Sequence, residues 1–297
     1  MIKPQTLDEG TDGKYFKMFA VSDAKIGKTT TLACSALGAL PDQTYGLVSS
    51  PECLHIIAFD DDAVNGLKSF LIDQCKRPDC IKLTVWDMTK LAREAILGDG
   101  YDATIVNNIN SILQEIDKRA NADKTKVHAV IFSSFTGMGM ALKAGLAGKP
   151  KADANGQIKS SGMDRNKWDI LNAELMTVRA NAHNPTKHVF WEGHVQDKFV
   201  TPVNGEVQKQ TTTEETVGVP GGEGRSWGAN VAEITRLRRE AVKYPTTQID
   251  KVSFDTRPNA DFISGGRGFI THLAPKEYDL ALMGTKLGKA VGGYKKP

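Results

Sequence analysis

The stretch "FAVSDAKIGKTTTLACSALGAL", residues 19–40, passes from an apolar run to an amphipathic one through Gly27-Lys28-Thr29. A strand, this triplet and a helix form the setting in which backbone amides, one lysine and one hydroxyl converge on a polyphosphate. The template is G-x-x-x-x-G-K-[ST], and Ser22 occupies its first glycine position. Serine reaches many of the same conformations at modest cost unless the position demands positive φ. The start of a helix adds a dipole that favours anions. The expected phosphate-binding residues are therefore Ser22, Asp23, Ala24, Lys25, Ile26, Gly27, Lys28, Thr29 and Thr30, with Thr29 also a ligand for Mg²⁺. Lys25 either adds charge beside a triphosphate or points to solvent.

Around this stretch, apolar runs alternate with helical patterns. "YFKMFAVS" (15–22), "LHIIAFD" (54–60), "IKLTVWDM" (81–88), "VHAVIFSSF" (127–135) and "KHVFWEGHV" (187–195) are rich in β-branched and aromatic residues and lack clean alternation. Such runs suit strands buried on both faces. Helical stripes run through Leu32, Ala36, Leu37 and Leu40, through Ile105, Ile109, Ile112, Leu113 and Ile116, and through Trp168, Leu171, Leu175 and Val178. The alternation predicts an α/β fold with a mostly parallel central sheet flanked by helices. Residues 143–166 and 196–230 break the rhythm as long polar, glycine-rich loops, the second beginning as a hairpin with its turn at Asn204-Gly205. "EITRLRREAV" and "TQIDKVSFDT" are β-like. The expected division is a core over 1–240, then a β extension and basic tail over 241–297.

A magnesium site also calls for a carboxylate at the end of a neighbouring apolar strand. "IIAFDDD" ends in Asp60, Asp61 and Asp62, three carboxylates that repel one another unless a cation neutralises some of them. "HAVIFSSF" has the apolar run but carries Ser133 and Ser134 where an acid would stand. An exposed acidic strand end remains the plain alternative for the aspartates.

The 297 residues are 40% hydrophobic and 25% charged with a net charge of +3, which fits a soluble globular chain and does not announce nucleic acid. No run of about 18 apolar residues exists, and the start is unlike a signal peptide. Cys34, Cys53, Cys75 and Cys80 form no CxxC pair and the histidines are scattered, which argues against zinc and for reduced thiols in a cytoplasm. Between Lys143 and Lys167 there are six basic and two acidic residues, and "GTKLGKAVGGYKKP" at the end has no acid. Arg236 and Arg238 in "TRLRRE" read as surface charge. Arg267 in "ISGGRGF" reads as a turn arginine or as an arginine finger acting across a subunit boundary.

The order of these pieces resembles the RecA-like P-loop ATPase core, especially the short phage-borne ATPases described as nucleotide-binding or single-strand-annealing recombination proteins. The resemblance spans roughly residues 14–240. "VSDAKIGKTTT" is similar to the P-loop, and "IIAFDDDAVNGL" to the strand whose acid activates the attacking water. "VHAVIFSSFTGMGMAL" is similar to the Walker B strand and its helix. "HVFWEGHVQDK" is similar to the strand ending in a γ-phosphate sensor. The resemblance implies ATP and Mg²⁺ as cofactors, Thr29 and Asp60 at the metal, Asp61 or Asp62 orienting water, and His194 as the sensor. His194 as a packed or capping histidine is the other reading. It also implies a homo-oligomer, ring or filament, and a single-stranded DNA partner. A nucleotide-controlled assembly protein with impaired hydrolysis, and a DNA-packaging or unwinding motor, stand as alternatives. The departures at Ser22 and Ser133 bear on hydrolysis more than on binding, because Lys28 and the loop amides still hold phosphates.

Overall fold

The computed structural model describes residues 15, 17–22, 27–39, 43–60, 62–97, 103–148, 151–152, 158–159, 163–197, 215–217, 233–239, 252–255 and 277–279. The strands are β1 (Lys17–Ser22), β2 (Leu54–Ala58), β3 (Thr84–Asp87), β4 (His128–Ser133), β5 (Lys151–Ala152), β6 (Ile158–Lys159), β7 (Lys187–Asp197), β8 (Glu215–Val217), β9 (Glu233–Arg239), β10 (Val252–Asp255) and β11 (Glu277–Asp279). The α-helices are α1 (Lys28–Leu37), α2 (Asp62–Ser69), α3 (Thr89–Leu97), α4 (Thr104–Ala122), α5 (Phe135–Ala147) and α6 (Arg165–Ala182).

The main sheet runs β11-β10-β9-β1-β7-β4-β2-β3, and every pairing from β9 to β3 is parallel. The α/β reading of the sequence therefore holds. β10 and β11 continue the sheet antiparallel beyond β9, so the late β-like segments do extend it. Parallel neighbours require crossovers, and the helices that make them cover both faces of the sheet.

Period-two alternation sorts the strand residues between two cores. Met18, Ala20, Leu54, Ile56, Ile131 and Phe190 face one side, with Leu32, Ala36 and Leu37 of α1. Phe19, Ile57, Val130, Phe132, Val189 and Trp191 face the other, with Ile109 and Leu113 of α4, Leu142 of α5 and Leu175 of α6. Each fully buried side chain of this size contributes about 1.5–3 kcal/mol. Trp191 is the largest of them: it stacks on Phe132 at 3.9 Å between centroids, and its Nε1 donates to Nε2 of His183 at 3.1 Å.

Three expectations change. β3 is only half covered, because it is the edge strand, and Val85 is 40% exposed. α1 stops at Leu37 instead of reaching Leu40, since Gly38 turns left-handed at φ 60 and a Cβ there would sit 3.0 Å from the Gly46 nitrogen. The polar segment over 143–166 begins as helix: α5 continues to Ala147 with Gly145 and Leu146 buried, and β5 pairs with β6 beyond it. β8 pairs antiparallel with β7, as a hairpin requires, while Asn204 and Gly205 lie outside the described residues.

The rim where the parallel strands begin carries unusual polarity. His55 of β2 and His128 of β4 are buried and stacked at an interplanar angle of 8°, with Nε2 of His55 3.2 Å from Nδ1 of His128. Among the described residues, Nδ1 of His55 and Nε2 of His128 have no hydrogen-bond partner. Burial, then the positive fields of His128, Arg119 and Lys187, pushes His55 down to about 3. Burial lowers His128 as well, aided by Lys126 and Arg119. Next along the rim, the buried Lys187 ammonium donates to Asp117, which also accepts from Thr186 and Asn184.

Candidate phosphate and metal site

The opposite rim, where the parallel strands end, holds the candidate site; α/β folds bind ligands at this edge. β1 leads to Ser22, and α1 begins at Lys28. Gly27 sits between them at φ 85 and ψ 33, a left-handed conformation that strains any residue with a Cβ. That requirement explains the second glycine of the motif. No side-chain cap hydrogen bond closes the start of α1 and its first turn contains no acid, so its amides and dipole suit an anion.

Lys28 and Thr29 are each only 6% exposed although they open a helix. Thr29 Oγ1 donates to Glu192 Oε2 at 2.9 Å and lies 3.0 Å from Ser133 Oγ. The register explains the meeting: Phe132 of β4 pairs with Trp191 of β7, so Ser133 and Glu192 follow side by side, while Ala20 of β1 is the Cα partner of Glu192 on its other flank. Glu192 is 2% exposed and its Oε1 has no hydrogen-bond partner among the described residues. Burial raises its carboxyl to about 7; the Thr29 hydroxyl, the Lys28 ammonium and the Ser134 amide pull the other way.

Ser134, the turn residue after β4, is left-handed at φ 61 and caps α5 by accepting from the Gly137 amide at 3.2 Å. A non-glycine residue held in this region beside a site is a recognised form of local strain. Ser134→Ala keeps the strain and loses the cap, and should cost about 1 kcal/mol. Ser134→Gly relieves the strain and should stay within a few tenths of a kcal/mol of the parent. Urea unfolding of the two variants checks this order; an alanine variant as stable as the parent would refute the cap.

The sequence-derived candidates divide as follows. Lys28, Thr29 and Ser133 come together. Ser22 ends β1 opposite His194 of β7 by Cα register, and Thr30 lies half-buried in α1. His194 is half-buried, and its backbone amide donates to Thr136 Oγ1 at 3.0 Å, which ties the end of β7 to α5. Asp60 is exposed just beyond β2, one strand further than Ser133, since Ala58 pairs with Ser133. Asp62 opens α2, while Asp23, Ala24, Lys25, Ile26, Asp61 and Arg267 lie outside the described residues. Arg236 and Arg238 are in β9. Sequence reasoning missed Glu192. Its one signal was an acid inside an otherwise apolar strand.

The donor set fits a hard divalent cation: two hydroxyls and a carboxylate, all oxygen. The orphaned Oε1 supplies an acceptor that nothing else on the chain's described part uses. Among the described residues no group of three or more His, Cys, Asp or Glu side chains could hold a metal, which sets this site apart from a thiolate or imidazole cage. The four cysteines are buried thiols outside any disulfide, and the Sγ atoms of Cys34 and Cys75 lie 4.0 Å apart. No helix among the described residues is long and apolar enough to cross a membrane.

No protein-family model matches the chain, and no curated protein matches it. Among solved structures, it is similar to a KaiC-like protein, PH0186, from the hyperthermophilic archaeon Pyrococcus horikoshii OT3, at 11% identity and a TM-score of 0.38 over 80% of this chain and 76% of that one.

Proposed function

We propose that this chain binds ATP with Mg²⁺ and acts as a RecA-like P-loop ATPase on single-stranded DNA, in recombination or annealing, within a functional core over residues 1–240. The observation that carries the nucleotide reading is the burial of Lys28 and Thr29 at the uncapped start of α1, with the Thr29 hydroxyl joined to Ser133 and Glu192. The DNA and recombination reading rests on the sequence resemblance.

In this reading the amides from Gly27 to Thr30 and the Lys28 ammonium hold the phosphates, and Thr29 holds the cation. Mg²⁺, when bound, would neutralise phosphate charge and act as a Lewis acid. Asp60 adds a carboxylate near the metal, Asp61 or Asp62 orients water, and His194 senses the terminal phosphate. The tie between the His194 amide and Thr136 would carry that sensing into α5. The protein works as a homo-oligomer in a cytoplasm.

A second reading has its own observation. Ser133 sits where an acid would polarise the attack, which favours a nucleotide-controlled assembly protein with slow or absent hydrolysis. ATP turnover by the purified chain, with and without single-stranded DNA, separates the two. DNA-stimulated turnover supports the recombination ATPase. Tight binding without turnover supports the second reading, and duplex-stimulated turnover would favour a packaging or unwinding motor.

A further inference from the structure

We propose that Glu192 of β7 carries the cation-facing carboxylate of this site, standing in from the neighbouring strand for the acid that Ser133 of β4 lacks. The inference rests on the nucleotide reading above and adds the residue that makes its divalent-cation site complete.

The hydrogen-bond inventory leads there. A threonine hydroxyl has one proton and two lone pairs. Thr29 gives its proton to Glu192 Oε2 at 2.9 Å, so the Ser133 hydroxyl, 3.0 Å away, donates to Thr29 and occupies one lone pair. The second lone pair stays available for a cation. On the carboxylate, Oε2 is engaged and Oε1 is buried without a partner among the described residues. One oxygen on Thr29 and one on Glu192 are thus left over at the same place.

Energetics favour a cation-facing role for Glu192 over that of a passive hydrogen-bond acceptor. A buried carboxylate costs several kcal/mol unless it is compensated. The Thr29 hydroxyl, the Lys28 ammonium and the Ser134 amide offset only part of the burial of Glu192, whose carboxyl stays raised. A glutamine would accept the Thr29 proton equally well at lower desolvation cost. The retained acid is explained if a cation, or a water bound to it, meets Oε1. The serine on β4 is also what the arrangement needs. Its short side chain leaves the space between β4 and β7 to Glu192, and a second carboxylate beside it would repel the first.

The test compares the full chain, Glu192→Gln, and Glu192→Gln combined with Ser133→Asp. ATP affinity is measured by calorimetry in Mg²⁺ and again in EDTA, and Mn²⁺ held with bound nucleotide is read by electron paramagnetic resonance. The Mg²⁺-to-EDTA affinity ratio within one variant cancels any general loss of folded protein. Outer ligands to a metal site typically contribute 10- to 100-fold in affinity. Glu192→Gln should therefore lower the ratio by about 10- to 100-fold and weaken the Mn²⁺ signal, and Ser133→Asp should restore both by returning a carboxylate to the adjacent strand. A parental ratio in Glu192→Gln would overturn the proposal and leave Glu192 as a hydrogen-bond acceptor for Thr29. Failure of the unaltered chain to bind ATP under either condition would overturn the nucleotide reading and this proposal together.

Discussion

Lys28→Ala should remove most of the response of this protein to ATP while leaving its fold in place. Lys28 begins α1 and alanine is the better helix former, so helix propensity does not oppose the substitution. The buried Glu192, left without the nearby ammonium, takes up a proton. The lost contribution is the charge-assisted contact with phosphate oxygens. Hydrogen bonds to charged groups are worth about 1.5–3 kcal/mol each, and a lysine reaching two phosphates loses at least one of them, or about 10²-fold in affinity. Thermal unfolding makes the effect visible. At an ATP concentration 100 times the dissociation constant, the parent should gain about 2.7 kcal/mol. For a chain of 297 residues that is roughly 4 °C in Tm. In the variant the same concentration only matches the weakened constant, and about 0.4 kcal/mol remains. Turnover, where present, should fall about 10²- to 10³-fold. A variant that keeps the full ATP-induced rise in Tm would remove Lys28 from the site.

Stability should fall as the pH drops from about 7 to about 5, above the range in which ordinary carboxylates titrate. His55 is held down to about 3 and His183 to about 4, both first by burial, against an ordinary value of 6.5. His183 also has its Nε2 engaged as the acceptor for Trp191 Nε1. The sign follows from linkage. A histidine whose folded pKa is depressed stays neutral in the native state, so its contribution is complete above pH 6.5. It is lost as pH falls from 6.5 toward the folded value, because the unfolded chain binds the proton first. At pH 5 each such group costs about 2 kcal/mol, and His55 and His183 together about 4 kcal/mol. His128, lowered in the same direction, adds to the loss. Glu192, whose carboxyl is raised in the folded state, takes up its proton first in the native state and offsets about 2 kcal/mol of this. A net loss of about 2 kcal/mol is therefore expected at about pH 5, against a typical stability of about 5–15 kcal/mol. Urea unfolding at pH 7 and pH 5 measures the drop. His55→Gln, which can still hydrogen-bond His128, should shrink that drop by about 2 kcal/mol; an unchanged drop would mean that the histidine pair does not control acid stability.

The sequence announced the parallel core because its central strands are buried on both faces, and burial on both faces leaves uninterrupted apolar runs such as "HAVIF" and "HVFW". It misled at β3, where an edge position needs only one covered face and Val85 is exposed. Gly27-Lys28-Thr29 was legible since all its physics is local: a positive φ, a helix start and a lysine within one turn. Glu192 was not. Its role depends on the register of β7 between β1 and β4, which brings together residues far apart in the chain, and no local pattern encodes that register. The same limit applied to His55 and His128, which are unremarkable in sequence and meet only through the alignment of β2 with β4.

The central place of β1 also sets the order in which the chain can become functional during synthesis. Among the described strands β1 is the earliest in the chain, yet both of its neighbours, β7 and β9, begin only at Lys187 and Glu233. Until they emerge, its edges stay open and the apolar residues of β1 and α1 await their cover. Such distant pairing is slow to close and leaves the nascent segment open to sticking and to chaperone capture. Glu192 itself arrives with β7, so a ribosome-bound fragment ending before that strand would carry Lys28 and Thr29 without the acid that Thr29 meets in the finished fold.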